Sequence, residues 1–404
     1  MTSRSRKSRS TERSPLLPHG SALLALFAAL TFWACAGGAA KSDDPGQSEA
    51  NTSQDTAQAA VSTSIRRYVS GASQAVGLAF DSRGRLLYAE KDSGRIVRSS
   101  RGRKTVLAKL NVAGGGESGL LGLAVDAKNN VYAYYTGPRA GCPRPTSGSG
   151  GGSIRAHCIW SFKPSGGRLR AKRMVFSSGH PSSAENHVGG GLHIGPDDAL
   201  YLGLGDLGEN GNPNKGPSRA QDLGVPFGKI LRLDPARSNR GASGNPTTCG
   251  NAKNSAQRKI SDGRIFACGL RNPYSFDWDS RGRLWAAEAG DSCDEINIIR
   301  AGVNYGWEPP RTDCAGSGAG RPAKKLSGTP SGVAIPKNRS ADSWRNDVFT
   351  CLYVGGQQIR IDGSSKRTSR LRAGDGRCGY DQVARGNRIY MSNGSDIYRL
   401  TIRK

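Results

Sequence analysis

A histidine followed by glycines, an Arg-Asn-Pro turn and a short acidic loop are the parts of this chain whose residue types suit chemistry. In "ENHVGGGLHIGPDDALY", His187 stands ahead of a run that reads as a strand, and Gly189–Gly191 leave its imidazole open space. Such a group accepts a proton near neutral pH. In "LRNPYSFDWD", Arg271 and Asn272 form a planar fork that suits carboxylates. "EAGDSCDEINII" supplies Glu288, Asp291, Asp294 and Glu295, and Gly-linked carbonyls follow in "GVNYGWEPP". Hard oxygens of this kind are what calcium prefers. Each segment has a plainer reading: a hydrogen-bonded loop histidine, a brace at a strand entry, a solvated acidic loop.

Other chemistry finds no support. "GLGDLG" (203–208) matches the dinucleotide fingerprint, but "ENGNPNKGPS" after it cannot form the helix that would hold a pyrophosphate. There is no C-x-x-C, H-E-x-x-H or G-x-S-x-G, which leaves zinc sites and hydrolase elbows without a basis.

The elements that must position these residues come from a repeat. "DSRGRL" occurs in "FDSRGRLLYAE" from Phe80 and again in "WDSRGRLWAAE" from Trp278, each copy between two short apolar runs. Gly supplies the reversal and β-branched or aromatic residues the flanks, so each copy reads as a hairpin. Degenerate copies bring the number to six, with key apolar positions at Leu78, Leu123, Leu192, Phe276, Val333 and Val383. Spacings of 45, 69, 84, 57 and 50 residues are those of four-stranded propeller blades with insertions. The expected fold is an all-β, six-bladed β-propeller with four-stranded blades over 65–404. Ligands of such a fold bind at one end of the central channel, on loops leading into the inner strands. The histidine, the fork and the acidic loop then fall on successive blade entrances, and together they outline a redox-cofactor site.

Ahead of the repeats, a basic lead and the apolar run "SALLALFAALTFWA" have the layout of a secretory signal over 1–34. Residues 35–64 are polar and read as a disordered tether. Cys35 ends the apolar run in "FWACAGG", which resembles a lipoprotein cleavage box; lipidation with membrane attachment and simple cleavage are both open. The other eight cysteines suit a disulfide set in an exported protein, extracellular or in the cell envelope. The formal charge is +26, of which the first 34 residues contribute +4. A basic surface favours acidic partners, and without an aromatic-basic ladder nucleic acid is not expected among them.

"ESGLLGLAVD", "NHVGGGLHIGPDDALYLGLGD", "AQDLGVPFGKILRLDP", "GLRNPYSFDWD" and "DEINIIRAGVNYGW" resemble, in this order, the soluble pyrroloquinoline quinone (PQQ)-dependent sugar dehydrogenases, the glucose/sorbosone dehydrogenase family. The resemblance implies PQQ and Ca2+ as cofactors, a sugar as substrate and an external electron acceptor. It makes His187 the general base toward the anomeric hydroxyl, and Arg271 and Asn272 the holders of the quinone. Gly290, Asp291 and Asp294 become the calcium loop, Glu117 a substrate contact, and Tyr305 and Trp307 its lining or plain core. The sequence departs from the family where Gly191 replaces an Arg and Asp198 a Gly. Arg370, Arg372 and Arg377 are the candidates for further basic contacts.

Pairing of sequence neighbours, Cys142–Cys158, Cys249–Cys268, Cys293–Cys314 and Cys351–Cys378, is the expected one of 105 connectivities. Three functions stay open: a PQQ-dependent aldose dehydrogenase, a calcium-bearing binding module for glycan or protein, and a calcium-dependent lactonase. Three or more basic side chains converging with His187 on one cavity would mark the polyanionic quinone.

Overall fold

The computed structural model describes residues 61–138, 142, 155–180, 182–208, 218–250, 258–290, 293–308, 320, 322–338 and 344–403. The signal and Cys35, most of the tether, Asp291 and Cys314 lie outside these.

The apolar runs flanking each reversal pair as antiparallel strands, and the chain builds six four-stranded sheets in turn. Their innermost strands are Ala75–Phe80, Leu120–Val125, Leu192–Ile194, Pro273–Trp278, Pro330–Ala334 and Gln382–Arg385. All six repeat positions lie on them, one per blade. The fold is the six-bladed propeller that the repeat leads one to expect. The 84-residue spacing of blade three comes from a long connection between its second and third strands, 205–228, and from an insertion before its outermost strand, Ile265–Ala267, that carries the small hairpin of Thr248–Cys249 with Arg258–Lys259.

"DSRGRL" recurs because it is a self-contained turn. Asp81 Oδ1 accepts the backbone N–H groups of Arg83 and Arg85 (3.0 and 2.9 Å), while its Oδ2 receives Arg85 Nε at 2.6 Å. Asp279 does the same for Arg281 and Arg283. Gly84 and Gly282 take the positive φ that the reversal needs (71° and 75°). Asn129 and Asp198 fill that place in blades two and three (61° and 60°), so Asp198 is a turn variant.

No blade buries both faces by itself. The six hydrophobic clusters each draw on two adjacent blades; Trp285 and Ala287 of blade four, for example, pack with Val333 and Val348 of blade five. The ring closes where Ser62–Val69 pairs with Ile397–Arg403, from Ser62 opposite Arg403 to Val69 opposite Ile397. Ser62–Ser64 therefore belong to the propeller, although the sequence reading gives them to the tether. An outermost strand needs a paired backbone and little apolar surface, so its composition does not announce it.

Asp381 ties the channel together. Its Oδ2 accepts Leu78 N–H of blade one at 2.8 Å, and its Oδ1 accepts Ser275 Oγ of blade four at 3.3 Å. Ser275 Oγ in turn accepts Val333 N–H of blade five at 3.0 Å. Burial pushes the Asp381 carboxyl up to about 7, with Asp277 adding to it and the Leu78, Gln382 and Ser275 donors opposing. A raised folded value favours the protonated state, so this residue's contribution is full at pH 4 and is lost as pH rises through 7. Asp381→Asn removes that loss. Relative to the wild type, the variant should gain roughly 1–4 kcal/mol between pH 5 and pH 8, read as a Tm difference that grows with pH. Parallel pH responses of the two proteins would refute the protonated carboxyl.

Candidate active site

The inner strands start at the channel end opposite the Asp-Arg turns, and the connections from second to third strands lie at that same end. His187 precedes the inner strand of blade three, and Arg271 and Asn272 that of blade four. Gly290 follows the second strand of blade four, Leu284–Glu288. The acidic loop is thus a second-to-third-strand turn and not a further blade entrance. It reaches the same place because adjacent strands are antiparallel. His187, Arg271, Asn272, Glu117 and Gly290 line one cavity of about 490 Å3 together with Lys91.

His187 is held from two sides. Its backbone sits at φ 52°, costly for a residue with a Cβ, and its N–H donates to Glu117 Oε2 at 2.8 Å. Its Nδ1 lies 2.7 Å from Oδ1 of the buried Asp206. A carboxylate only accepts, so Nδ1 carries a proton, and in the neutral ring Nε2 is the acceptor. Asp206 is itself fixed by Trp307 Nε1, which donates to its Oδ2 at 2.7 Å. Gly205 gives the His187 backbone its room, since a Cβ there would stand 2.0 Å from His187 O.

Glu117 links three blades. The oxygen that holds His187 also accepts Asn272 Nδ2 at 3.2 Å, and Asn272 Oδ1 accepts Gly189 N–H at 3.0 Å. Arg271 donates from its backbone N to Glu288 Oε1 at 2.5 Å and from Nη1 to Ala289 O at 2.9 Å. Its guanidinium lies 5.5 Å from the centre of the Trp307 ring. One indole therefore supports both the cation and the carboxylate behind the histidine.

In the acidic loop, Asp294 Oδ1 accepts Gly290 N–H at 3.2 Å and its Oδ2 accepts Thr329 Oγ1 at 3.5 Å, so Asp294 steadies the turn. Asp291 lies outside the described residues. Glu288 and Glu295 face each other across paired strands, bridged by Asn297 Nδ2 at 3.1 and 2.7 Å. Burial, then the charge of Glu295, holds Glu288 well above the usual carboxylate range. Burial likewise pushes Glu295 up to about 7. Tyr305 is core: it is buried, and its hydroxyl donates to Ile298 O at 2.7 Å.

The family model for Glucose / Sorbosone dehydrogenase matches residues 72–351. The chain belongs to the glucose/sorbosone dehydrogenase family. It is 31% identical over 241 residues to quinoprotein glucose dehydrogenase B of Acinetobacter calcoaceticus, a match over 54% of this chain and 46% of the relative. It is 36% identical over 141 residues to aldose sugar dehydrogenase YliI of Escherichia coli strain K12, over 33% of this chain and 32% of that one. The chain thus spans less than half the length of these curated relatives. Among solved structures, the PQQ-bound aldose sugar dehydrogenase of Streptomyces coelicolor is 27% identical with a TM-score of 0.65, covering 85% of this chain and 99% of that one.

Within this family's scaffold, the expected extra cations do not arrive. Arg370, Arg372 and Arg377 are absent from the cavity lining; Arg370 is paired with Asp375 at 2.6 Å, and Arg377 lies 6.0 Å from the Tyr398 ring centre. Gly191 packs toward blade four, where an added Cβ would meet Phe276 at 2.8 Å. The basic lining is Arg271 and Lys91.

Lys91 and Asp206 escape sequence reasoning. Both follow the second strand of a hairpin, which antiparallel pairing carries back beside the inner strand's start; Asp206 in "GLGDLG" comes back to His187 in this way. Tyr274, Tyr353 and Tyr380 also line the cavity, and burial raises the Tyr274 phenol well above its ordinary value. The pairs Cys142–Cys158, Cys249–Cys268 and Cys351–Cys378 are bonded as expected. Cys293 is also disulfide-bonded.

Asp206→Ala strips the acceptor from three donors, His187 Nδ1, Trp307 Nε1 and the Gly208 N–H. Stability should drop by about 2–3 kcal/mol, seen in the urea midpoint, whereas Tyr305→Phe should cost about 1 kcal/mol. An Asp206→Ala midpoint equal to wild type would show that the network does not form in solution.

Proposed function

We propose that this chain is an exported PQQ-dependent aldose dehydrogenase that oxidises the anomeric carbon of a sugar to a lactone and passes the electrons to an external acceptor. The observation that carries this reading is His187 Nδ1 at 2.7 Å from the buried Asp206, on the wall of a cavity that also holds Arg271 and Asn272. The apolar run at 21–34 and the disulfides favour export, with lipidation at Cys35 as one way of staying at the envelope.

Two cations beside His187 are fewer than the three that would mark the quinone outright, and its acidic groups would be held by these two together with neutral donors. About 490 Å3 is within the range of small-molecule sites. Arg271 and Lys91 are the cations, and Asn272 and Gln74 supply neutral amide donors. The Gly290 main chain, braced by Asp294, is the described part of the calcium loop. When bound, PQQ supplies the carbon that takes hydride and Ca2+ the Lewis acid that polarises its carbonyl.

The chain's own residues do the rest. His187 Nε2 takes the proton of the anomeric hydroxyl as hydride leaves the same carbon, and the Asp206 carboxylate stabilises the imidazolium that forms. Trp307 keeps Asp206 in place through the transfer. Glu117 sets the height of the histidine through its backbone, which gives it a positioning role beside any contact with sugar.

A second reading, a calcium-bearing module that binds neutral glycans, is favoured by one observation. Lys91 Nζ is already tied to Asp92 Oδ1, Gly116 O and Ser118 O at 2.6, 3.0 and 3.2 Å, which leaves a small positive balance beside Glu117.

Titration of the calcium-loaded apo-protein with PQQ, followed by aldose and a dye acceptor, separates the two. Saturable quinone binding with sugar-dependent dye reduction is expected. His187→Ala should then lower kcat by roughly 10²–10⁴-fold while quinone affinity stays within twofold, and Arg271→Ala should weaken quinone binding by about tenfold or more. Sugar binding without quinone binding would establish the second reading instead.

A further inference from the structure

We propose that the outer rim of blades six, one and two docks on an anionic phospholipid surface. The outermost strand of blade six, Ser62–Val69, exposes Arg66 and Arg67. That of blade one, Arg103–Lys109, exposes Arg103, Lys104 and Lys109. That of blade two, Arg168–Ser177, exposes Arg168, Arg170 and Lys172. None of the three contains an Asp or Glu. The outermost strands of the other blades are three residues each, Ile265–Ala267, Lys324–Leu326 and Thr368–Arg370, and hold three cations between them.

These three strands form one continuous edge. Lys104 Nζ of blade one donates to Ser70 O and Gly71 O, just past the strand of blade six, at 3.0 and 2.9 Å. The outermost strands of blades one and two lie against each other. Only Arg67 among the eight cations meets a carboxylate among the described residues, Asp396 at 3.4 Å. Val106, 42% exposed, stands among them as one of few exposed large apolar side chains.

Edge strands commonly carry Lys to discourage pairing with other chains. One or two charges of either sign per strand would serve that purpose, and a run of a single sign over three blades exceeds it. The chain itself indicates the partner. The strand at Ser62 begins in this rim, and the sequence ahead of it carries Cys35, the candidate for lipidation. A single hydrophobic attachment holds a protein to a bilayer weakly, and a basic patch is the second signal that makes attachment stable. The rim and a lipid carried on Cys35 would act on the same kind of surface.

Co-sedimentation of the full chain with phosphatidylcholine vesicles, with and without phosphatidylglycerol, tests this. Phosphatidylglycerol should raise the bound fraction by about tenfold or more, and high salt should reverse the gain. Arg168→Glu/Arg170→Glu/Lys172→Glu should lose the gain. Arg258→Glu/Lys259→Glu/Arg367→Glu makes the same change in net charge at exposed sites of blades three and five, and it should keep the gain. Equal binding to neutral vesicles, or equal loss in both variants, would overturn the proposal.

Discussion

Closure of the ring by an N-terminal strand is the interaction on which the rest of the molecule depends. Every hydrophobic cluster lies between two blades, so a blade without neighbours has two wet faces. The pairing of Ser62–Val69 with Ile397–Arg403 completes blade six and lets it pack on blade one, where Leu78, Tyr88 and Tyr390 share a cluster. Asp381 repeats this logic at the channel, joining the chain's last blade to its first and fourth through two oxygens. The ends of the fold are therefore held together both at the rim and at the axis.

The site follows from closure because each blade contributes only one or two residues to it. His187 comes from blade three, Arg271 and Asn272 from blade four, Glu117 from the chain entering blade two and Lys91 from blade one. No local motif could assemble them. Fixed strand direction does so, by bringing every inner-strand entrance and every second-to-third-strand turn to one end. Glu117 and Asp206 then convert proximity into orientation. One holds the histidine backbone at an unfavourable φ, and the other holds its ring.

The sequence made the blade count legible because the Asp-Arg turn is a local device: an aspartate, a positive-φ residue and an arginine four places on need nothing from the rest of the chain. His187 and the Arg-Asn pair were legible for the related reason that they adjoin those hairpins. What escaped depends on distance. Ser62–Ser64 read as tether because their strand is defined by a partner more than 300 residues away. Asp206 in "GLGDLG" gave no sign of its role, which appears only when the hairpin folds back onto His187. The bracing that Asp294 gives to Gly290 and Thr329 was not legible either, because it needs the loop folded back on itself and blade five beside it.

The strongest gap between sequence and structure concerns charge. A net charge of +26 invites the thought that cations gather where an acidic cofactor binds. The cavity instead takes Arg271 and a heavily bonded Lys91, beside Glu117, with Asp206 behind His187 and Asp381 at the channel. The eight exposed cations of three outermost strands lie elsewhere, on the edge where the N-terminal strand enters the fold. On the proposed function, a low charge inside would leave recognition to the His187–Asp206 pair, Arg271 and the tyrosines, which need exact placement more than field strength. A high charge outside acts over a Debye length and needs no exact placement. The two charge distributions therefore match the two proposed tasks, chemistry on a small molecule at one end of the channel and attraction to a broad anionic surface at the rim.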